Sequence, residues 1–272
     1  KKKIALVLGC TGQDGSYMCE LLLKKNYIVY GLLRKTATDN TKNIKSLIHN
    51  KKYFNKTFFL QRGDLLDLHS IENAISKIKP EEIYNFADQD NVSWSAEIPS
   101  YSMNVTGVSV INMFEKIKNT KKRIKFFQPL TSNMFAWDEK GTQNEKSVLS
   151  PSSIYALSKS TVYLAAKMYK KLYNLHICGA IFFNHESPRR RLDYVTQKIV
   201  HNACEIYLGR RKYVELGDIN IKIDWGYAKD YIEAAWKIMQ QKKSDFFVIG
   251  SSRTYSVKEF GVKVFKYLKD TK

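Results

Sequence analysis

Gly9-Cys10-Thr11-Gly12-Gln13-Asp14-Gly15 follows an apolar run at residues 4–8 and precedes a stretch with helical periodicity at residues 16–25. A glycine-spaced turn between a strand and a helix lets the backbone approach a phosphate, and the helix N-terminus attracts the negative charge. Because Gly-x-x-Gly-x-x-Gly also occurs by chance, its position between these two elements is what gives it weight. The stretch therefore predicts a dinucleotide-binding turn after the first strand of an α/β fold.

Short apolar runs alternate along the chain with stretches of helical periodicity. We predict strands at residues 4–8, 28–33, 57–60, 82–86, 124–127, 176–182 and 246–249. We predict helices at residues 16–25, 71–78, 105–116, 154–173 and 226–240, and a further helix near Tyr194. This alternation predicts a doubly wound parallel sheet of the Rossmann type, with ligands at the carboxyl ends of the strands.

Tyr155 and Lys159 lie one helical turn apart in the predicted helix 154–173. A phenol beside an ammonium can take a proton from a hydroxyl while a cofactor takes the hydride, because the positive charge lowers the phenol pKa. Alone, Tyr-x-x-x-Lys also describes two ordinary residues on a solvated helix face. Together with the glycine-spaced turn, the pair predicts an enzyme that transfers hydride.

Arg34 and Lys35 directly follow the second predicted strand, where an acidic residue would bond the ribose hydroxyls of NAD. A basic pair there can neutralise the 2′-phosphate of NADP, although two surface cations are also ordinary in a lysine-rich chain. Asp64 and Leu65 follow the third strand and are predicted to meet the adenine ring. We therefore predict NADP as the cofactor.

The pattern becomes less regular after Phe183, and this predicts a second lobe that shares the chain discontinuously. We expect residues 1–182 with 226–249 to form the NADP-binding Rossmann domain. Residues 183–225 with 250–272 are expected to form a smaller substrate-binding lobe.

The chain carries 45 basic and 26 acidic residues, a net charge of +19 that raises the hypothesis of nucleic-acid binding. The lysines are spread over every predicted helix, with one run at residues 121–125, and no recognisable nucleic-acid-binding module accompanies them. We therefore predict a basic surface that favours anionic ligands and no nucleic-acid partner.

The four cysteines have no Cys-x-x-Cys spacing, which favours reduced thiols in the cytoplasm. The chain has no apolar run of membrane-spanning length and no secretory signal, so we expect a cytoplasmic protein with no membrane partner. The isolated histidines at 49, 69, 176 and 201 lack metal-ligand spacing, and no metal site is predicted.

Several blocks resemble the extended short-chain dehydrogenases, and within them the GDP-mannose 4,6-dehydratase family. They are Gly12-Gln13-Asp14-Gly15-Ser16-Tyr17, Gly63-Asp64-Leu65, Ile83-Tyr84-Asn85, Gln143-Asn144-Glu145, residues 183–190 (FNHESPRR) and residues 224–231 (DWGYAKDY). The last two blocks separate this branch from generic sugar-nucleotide epimerases. The resemblance covers nearly the whole chain and implies conversion of GDP-mannose to GDP-4-keto-6-deoxymannose.

The resemblance also implies a set of site residues and a homodimer or homotetramer. The cofactor-binding residues that the resemblance implies are Gly9, Thr11, Gly12, Gln13, Asp14, Gly15, Arg34, Lys35, Asp64, Leu65, Ala87, Gln89, Tyr101, Tyr155, Lys159, His185 and Arg190. The implied substrate-binding residues are Thr131, Ser132, Tyr155, Asn184, Lys198 and Gly217. The implied catalytic residues are Thr131, Asn133, Tyr155 and Lys159. Tyr155 would accept the proton of the hexose O4 as hydride leaves C4, and hydride would return to C6 after water is lost.

The chain departs from this family at the position of its general base. The family carries Thr-Ser-Glu, in which the glutamate removes the C5 proton, whereas this chain has Thr131-Ser132-Asn133. A neutral amide cannot take that proton, and loss of a general base typically costs about 10²- to 10⁴-fold in rate. Further departures are Asp88, Asp90, Pro129-Leu130, Phe135-Ala136, Arg191 and Ile223. The family's chain also continues beyond the equivalent of Lys272, so we expect an incomplete substrate lobe.

Several functional interpretations follow from this departure. Asp88 or Asp90 could act as the acid or base, although a carboxylate near a pyrophosphate would repel it. The chain could keep only the first half of the chemistry, as a 4-dehydrogenase, reductase or epimerase of a nucleotide sugar. It could be a non-catalytic homologue that binds a nucleotide or a partner subunit. It could also be a working dehydratase in which water takes the role of the base.

Overall fold

The computed structural model of the chain describes residues 1–135 and 142–270; Ala136 and Lys272, named above, lie outside this part. The described chain forms two compact units. The first comprises Lys1–Phe182 and Tyr231–Ile249, and the second comprises Phe183–Asp230 and Gly250–Lys272. Each unit is therefore built from two separate stretches of sequence.

Ten strands are described in two sheets. They are β1 Ile4–Leu8, β2 Ile28–Leu33, β3 Phe58–Arg62, β4 Glu82–Asn85, β5 Lys125–Thr131, β6 His176–Phe182, β7 Asn184–Glu186, β8 Lys222–Tyr227, β9 Phe246–Ile249 and β10 Thr254–Ser256. The first unit contains seven of them in the order β3-β2-β1-β4-β5-β6-β9, and every neighbouring pair is parallel. The predicted doubly wound parallel sheet is confirmed. Its strand order reverses between β1 and β4, where such sheets bind ligands.

Helices connect the strands. They are α1 Gln13–Lys24, α2 Lys45–Ile48, α3 Leu68–Ile78, α4 Val92–Glu97, α5 Pro99–Met103, α6 Ser109–Lys118, α7 Ile154–Tyr173, α8 Val195–Tyr207, α9 Ala228–Gln240 and α10 Val257–Asp270. A π-helical turn, Asn104–Val108, precedes α6, so the predicted helix 105–116 begins in this turn and its α-helical part ends two residues later. α7 has the bounds that its periodicity predicted.

The core of the first unit lies between the sheet and its helices. Leu6 and Leu8 of β1 are fully buried, as a central parallel strand covered on both faces requires. Phe114 of α6 meets Phe126 of β5 edge-on, with ring centroids 5.3 Å apart. Burial of each such side chain contributes roughly 1.5–3 kcal/mol, so this packing fixes the strand ends that carry the site.

β5 runs four residues beyond its predicted end at Phe127, through Gln128-Pro129-Leu130-Thr131. Proline cannot donate a hydrogen bond to a sheet and normally argues against a central strand. Here the pairing with β4 ends at Phe127, and only β6 pairs with the rest of β5, up to Thr131 opposite Phe182. Pro129 is therefore tolerated, and Thr131 becomes the last residue of the strand.

The second unit contains a small three-stranded sheet in the order β10-β8-β7, with β7 parallel and β10 antiparallel to β8. Its helices are α8 and α10. Asp224, in the block that resembles the dehydratases, accepts hydrogen bonds from the backbone N–H groups of Ser251 and Ser252 at 2.9–3.0 Å. This carboxylate joins β8 to the turn that leads into β10. β7, β8, β10 and α10 were not predicted from the sequence, and β7 lies where the sequence predicted a loop.

The four cysteines are free thiols, and Cys10, Cys19 and Cys178 are buried. In residues 1–135 and 142–270, no helix has both the length and the apolar character needed to cross a bilayer. The same residues contain no group of three or more His, Cys, Asp or Glu side chains arranged to hold a metal ion.

Candidate active site

The turn after β1 can be built only with glycine at two positions. Gly9 has φ +71°, and a Cβ atom there would lie 2.3 Å from the Phe86 carbonyl oxygen. A Cβ at Gly15 would lie 2.2 Å from the Gly9 carbonyl oxygen. Both approaches are closer than side chains tolerate, and Gly9 also lies in a backbone region that favours glycine. The turn thus holds α1 close against the end of β1.

The N-terminus of α1 presents backbone N–H groups beside this turn. Gly12 caps the helix without a side-chain hydrogen bond, and Gln13 donates to the Asp14 carboxylate at 3.0 Å within the first turn. The Thr11 carbonyl accepts from the Asn43 side chain at 3.0 Å, which ties the loop after β2 to the turn. A helix N-terminus at a strand-order reversal suits the pyrophosphate of a dinucleotide.

A basic recess of ≈ 320 Å³ opens at the carboxyl ends of β2 and β3. It is lined by Arg34, Lys35, Arg62, Gly63, Asp64, Asp67 and Ser70. Arg34 donates from Nη1 to the Tyr101 hydroxyl at 2.9 Å, so two predicted cofactor residues 67 positions apart meet. The Asp64 carboxylate accepts from the Leu66 backbone N–H at 2.9 Å, and Leu65 is buried.

Arg62 is a residue of this recess that sequence reasoning missed. It is the last residue of β3, paired in register with Leu33 of β2. Because Arg34 follows Leu33 directly, Arg34 and Arg62 lie side by side at the carboxyl ends of the neighbouring strands β2 and β3. The signal was present in the sequence as a basic residue at the end of the third predicted strand, but β3 was predicted to end two residues too early.

Two further predicted cofactor residues follow β4. The Ala87 N–H donates to the Asn85 side chain at 3.3 Å, and Gln89 donates from Nε2 to the Asn91 carbonyl at 2.8 Å. The Gln89 Oε1 atom is buried and has no hydrogen-bond partner within the described part of the chain. A buried acceptor without a partner is costly, so a donor from a bound ligand would stabilise it.

The predicted catalytic side chains converge at the end of β5 and the start of α7. The Ser153 hydroxyl caps α7 by accepting from the Ala156 N–H at 3.1 Å, and this puts Tyr155 in the first turn. Lys159 follows one turn later, its Nζ 5.8 Å from the centre of the Tyr155 ring. Tyr155 shares a hydrogen bond with Thr131, the last residue of β5.

Ser132 and Asn133 follow Thr131 in a 3₁₀ turn, Ser132–Met134. Both are half-buried, and the Asn133 N–H donates to the Thr131 hydroxyl oxygen at 3.2 Å. The structure therefore brings together Thr131, Asn133, Tyr155 and Lys159.

The expected lowering of the Tyr155 pKa is wrong for this structure. Burial is the largest influence and raises the pKa of Tyr155, the Lys159 ammonium is the next and lowers it, and Asp90 and Asp88 add to the rise. The net result is a phenol pKa above its ordinary value. A buried phenolate is poorly solvated, and one neighbouring cation does not compensate for that loss here.

Lys159 is held by an acidic partner that has no counterpart in the expected mechanism. Its Nζ lies 2.5 Å from Asp88 Oδ2 and 2.7 Å from the Pro129 carbonyl oxygen. Burial lowers the pKa of Lys159, but the charges of Asp88, Tyr155 and Asp90 outweigh burial, and the pKa lies above its usual value. Lys159 is therefore a charged, buried ammonium.

The remaining predicted residues belong to the second unit. Asn184 is exposed and His185 half-buried on β7, and His185 Nδ1 lies 2.9 Å from the Phe183 carbonyl oxygen. Arg190 pairs with Glu186 at 3.5 Å, and its guanidinium carbon lies 3.6 Å from the centre of the Tyr194 ring. Lys198 is half-buried on α8. Gly217 has open space where a side chain would begin, so its backbone does not require glycine.

The sequence matches the family described as GDP-mannose 4,6 dehydratase over residues 6–272. The chain belongs to this family. It is 38% identical to a GDP-mannose 4,6 dehydratase of Drosophila melanogaster over 98% of this chain and 69% of that protein. It is 36% identical to the Homo sapiens GDP-mannose 4,6 dehydratase over 99% of this chain and 73% of that protein. The Vibrio cholerae GDP-mannose 4,6-dehydratase is also 36% identical, over 95% of this chain and 70% of that protein.

Solved structures with the same fold include two enzymes of nucleotide sugars. A dTDP-glucose 4,6-dehydratase from Bacillus anthracis, in complex with NAD, superposes with a TM-score of 0.84 at 22% identity, covering 98% of this chain and 81% of that chain. A UDP-glucose 4-epimerase from Thermotoga maritima gives a TM-score of 0.82 at 20% identity, covering 98% and 82%. At such identities these likenesses establish the fold of the chain.

Proposed function

We propose that this chain is a GDP-mannose 4,6-dehydratase that forms GDP-4-keto-6-deoxymannose with a bound nicotinamide dinucleotide. The observation that carries the proposal is the cluster of Thr131, at the end of β5, with Tyr155 and Lys159, in the first turns of α7. The chain that carries this cluster belongs to the GDP-mannose 4,6 dehydratase family. A phenol held by a hydroxyl and placed near an ammonium is suited to take a proton from a sugar hydroxyl.

Three features of the first unit favour a dinucleotide. Gly9 and Gly15 allow close approach of the backbone, and the buried Gln89 Oε1 offers an acceptor without a partner in the described chain. The residues that would hold the cofactor are those of the turn, the basic recess, Gln89 and Lys159. When bound, a nicotinamide would supply reversible hydride transfer, from C4 of the sugar and back to C6, so the net redox change would be zero.

The protein's own groups would act on protons. Tyr155 takes the O4 proton, and Thr131 orients the phenol through their hydrogen bond. The ketone formed at C4 makes the C5 proton acidic, and a base must remove it before water leaves C6. Asn133 stands where the family has a glutamate, and an amide cannot take this proton. The dehydration step is therefore the slow part of this chain's reaction.

That substitution also supports a second candidate function. If nothing replaces the glutamate, the reaction would stop at the 4-keto sugar, and the chain would act as a nucleotide-sugar 4-dehydrogenase. Asp88 is a poor substitute base because its carboxylate is paired with Lys159. The exposed Asp90 and a bound water remain candidates for the base.

The test is to incubate the purified protein with NADP and GDP-mannose and to follow nicotinamide absorbance and the mass of the sugar nucleotide. Loss of one water from the sugar supports the dehydratase. Nicotinamide reduction without loss of water supports the 4-dehydrogenase instead. Cofactor binding with neither change would contradict both and favour a non-catalytic homologue.

We further infer that the cofactor is NADP. Arg34, Lys35 and Arg62 surround one recess at the edge of the sheet where the adenosine ribose of a dinucleotide is bound in this fold. Guanidinium groups match phosphate geometry with two parallel hydrogen bonds, so the recess suits a 2′-phosphate. The two acidic residues in the recess, Asp64 and Asp67, line it beside Gly63 and Ser70.

The variant Arg34→Ala is expected to weaken NADP binding by roughly 10- to 100-fold, the loss of one charge-assisted hydrogen bond. The measurement is the dissociation constant of NADPH by fluorescence titration. NADH serves as the matched control, because it lacks the 2′-phosphate and its dissociation constant should stay within a few-fold. An equal loss for both cofactors would contradict the assignment of the recess to the 2′-phosphate.

We also infer that the chain forms homo-oligomers through α7. Leu157, Leu164, Met168 and Leu172 are 43%, 56%, 48% and 61% exposed and recur at spacings of seven, four and four. Such spacing sets these side chains on one helical face, where they form a continuous apolar stripe. Exposed apolar stripes mark interaction surfaces, and a twofold-symmetric partner copy would bury the stripe against itself.

The variant Leu164→Asp is expected to weaken dimerisation by at least roughly 100-fold, because a symmetric interface buries Leu164 twice and each burial is worth about 1.5–3 kcal/mol. Light scattering during size-exclusion chromatography measures the mass. Ser76→Asp adds the same charge to an exposed position of α3 and should leave the mass unchanged. An unchanged mass for Leu164→Asp would contradict the use of α7.

A further inference from the structure

Asp88 lies in a closed network of buried polar side chains around Lys159. The Asp88 and Lys159 side chains are each only 4% exposed, and their charged atoms are 2.5 Å apart. Asp88 Oδ2 also accepts from Gln128 Nε2 at 2.8 Å, and Oδ1 accepts from Asn85 Nδ2 at 2.9 Å. Asn85 Nδ2 donates in addition to Gln128 Oε1 at 2.9 Å. The two amides and the ammonium thus hold the carboxylate in one orientation.

This network determines what Asp88 can do. Removing one member of a buried ion pair leaves an uncompensated charge and is strongly destabilising. A proton taken up by Asp88 would have the same consequence for Lys159, which is buried on α7. Asp88 is therefore suited to hold the ammonium and unsuited to shuttle a proton.

The charges around Tyr155 show how the Asp88–Lys159 pair affects ionisation of its phenol. In the first unit, the charged groups that act on its phenol are Lys159, Asp90 and Asp88, and the Thr131 hydroxyl bonds to it. Lys159 favours the phenolate and the two carboxylates oppose it. Because Asp88 is bound directly to the ammonium, its negative charge offsets part of the effect of Lys159 on the phenol.

We propose that Asp88 is a positioning residue that holds Lys159 and thereby sets how readily Tyr155 becomes a phenolate. The role of Tyr155 as a base rests on the proposed function, whereas the control of its ionisation by Asp88 does not. The chain would consequently run its first proton transfer at a higher pH than it would with a neutral residue at position 88.

The experiment follows ionisation of Tyr155 in the protein without cofactor or substrate. Tyrosine labelled with ¹³C at Cζ reports phenol ionisation by NMR, and the Tyr155 signal is assigned by its loss in Tyr155→Phe. In Asp88→Asn, the midpoint of Tyr155 ionisation is expected at a pH lower by roughly one unit or more than in the parent protein. The variant removes a negative charge that opposes the phenolate, and it leaves Lys159 as an uncompensated cation. An unchanged or higher midpoint would overturn the proposal.

Two controls separate the ion pair from general charge effects. Asp90→Asn removes the same charge from an exposed carboxylate that also opposes the phenolate, and its shift should be similar with and without Lys159. In the Lys159→Met background, Asp88→Asn should shift the midpoint by less, because only its direct effect on the phenol is left. Equal shifts from Asp88→Asn with and without Lys159 would mean that Asp88 does not act through Lys159.

Asp88→Asn leaves Lys159 buried without its carboxylate partner and could therefore fail to fold, so a second variant is needed. Thermal unfolding establishes whether Asp88→Asn folds. If it does not, Asp88→Ala, which replaces the carboxylate by a small residue of the kind the family loop carries, is expected to show the same lower midpoint. Since no turnover is measured, absence of dehydratase activity would defeat the proposed function without affecting this result.

Discussion

Tyr155→Phe is expected to lower the rate of nicotinamide reduction by GDP-mannose by roughly 10²- to 10⁴-fold, the usual contribution of a general base. The phenol oxygen is the only atom lost, and it is the titrating atom on which the Thr131 hydrogen bond and the Lys159 charge act. The ring remains to pack at the start of α7, so the NADP dissociation constant should change by no more than a few-fold. Stopped-flow absorbance of the nicotinamide under single-turnover conditions measures the rate of its reduction.

The pH dependence provides a second signature of the same residue. Burial raises the pKa of Tyr155, so the phenolate is the minor form near neutral pH. The parent protein's reduction rate should therefore increase with pH through the neutral range, and Tyr155→Phe should not show this increase. Tyr163→Phe is the matched control, since Tyr163 lies two turns further along α7 with its ring edge-on to Phe246. A similar loss in Tyr163→Phe would mean that the effect is structural.

The parts of the site that depend on local pattern were predictable. The glycine-spaced turn has a steric reason at Gly9 and Gly15, where the fold leaves no room for a side chain. α7 carries Tyr155 and Lys159 with the predicted bounds, because its periodicity extends over twenty residues. The doubly wound parallel sheet followed from the alternation of strands and helices, whose crossovers are almost always right-handed.

The parts that depend on contacts between distant segments were not predictable. Pro129 concealed the end of β5, since the sequence does not reveal that only β6 pairs with the strand there. The pair between Asp88 and Lys159 joins residues 71 positions apart. The burial of Tyr155, which is the main reason that its pKa is raised instead of lowered, also arises from packing between distant segments. These features depend on which strands become neighbours, and this is decided by packing of the whole sheet.

Asn133 occupies the position at which the resemblance to the family predicts a glutamate. It lies in the 3₁₀ turn that follows β5, and its N–H donates to the Thr131 hydroxyl that bonds to Tyr155. The backbone at this position is thus tied to the proton-transfer group. In the proposed mechanism Tyr155 is the base of the first proton transfer, whereas an amide at position 133 cannot remove the C5 proton.

Asn133→Glu is therefore expected to accelerate loss of water from GDP-mannose by roughly 10²- to 10⁴-fold, the contribution of a restored general base. The rate of nicotinamide reduction should change little, because Tyr155 performs that step. Mass spectrometry of the quenched reaction measures the dehydrated product. Asn133→Gln matches the glutamate in length but adds no carboxylate, so it should give no acceleration. Equal rates in Asn133→Glu and the parent protein would mean that another group, such as Asp90 or a bound water, already removes the C5 proton.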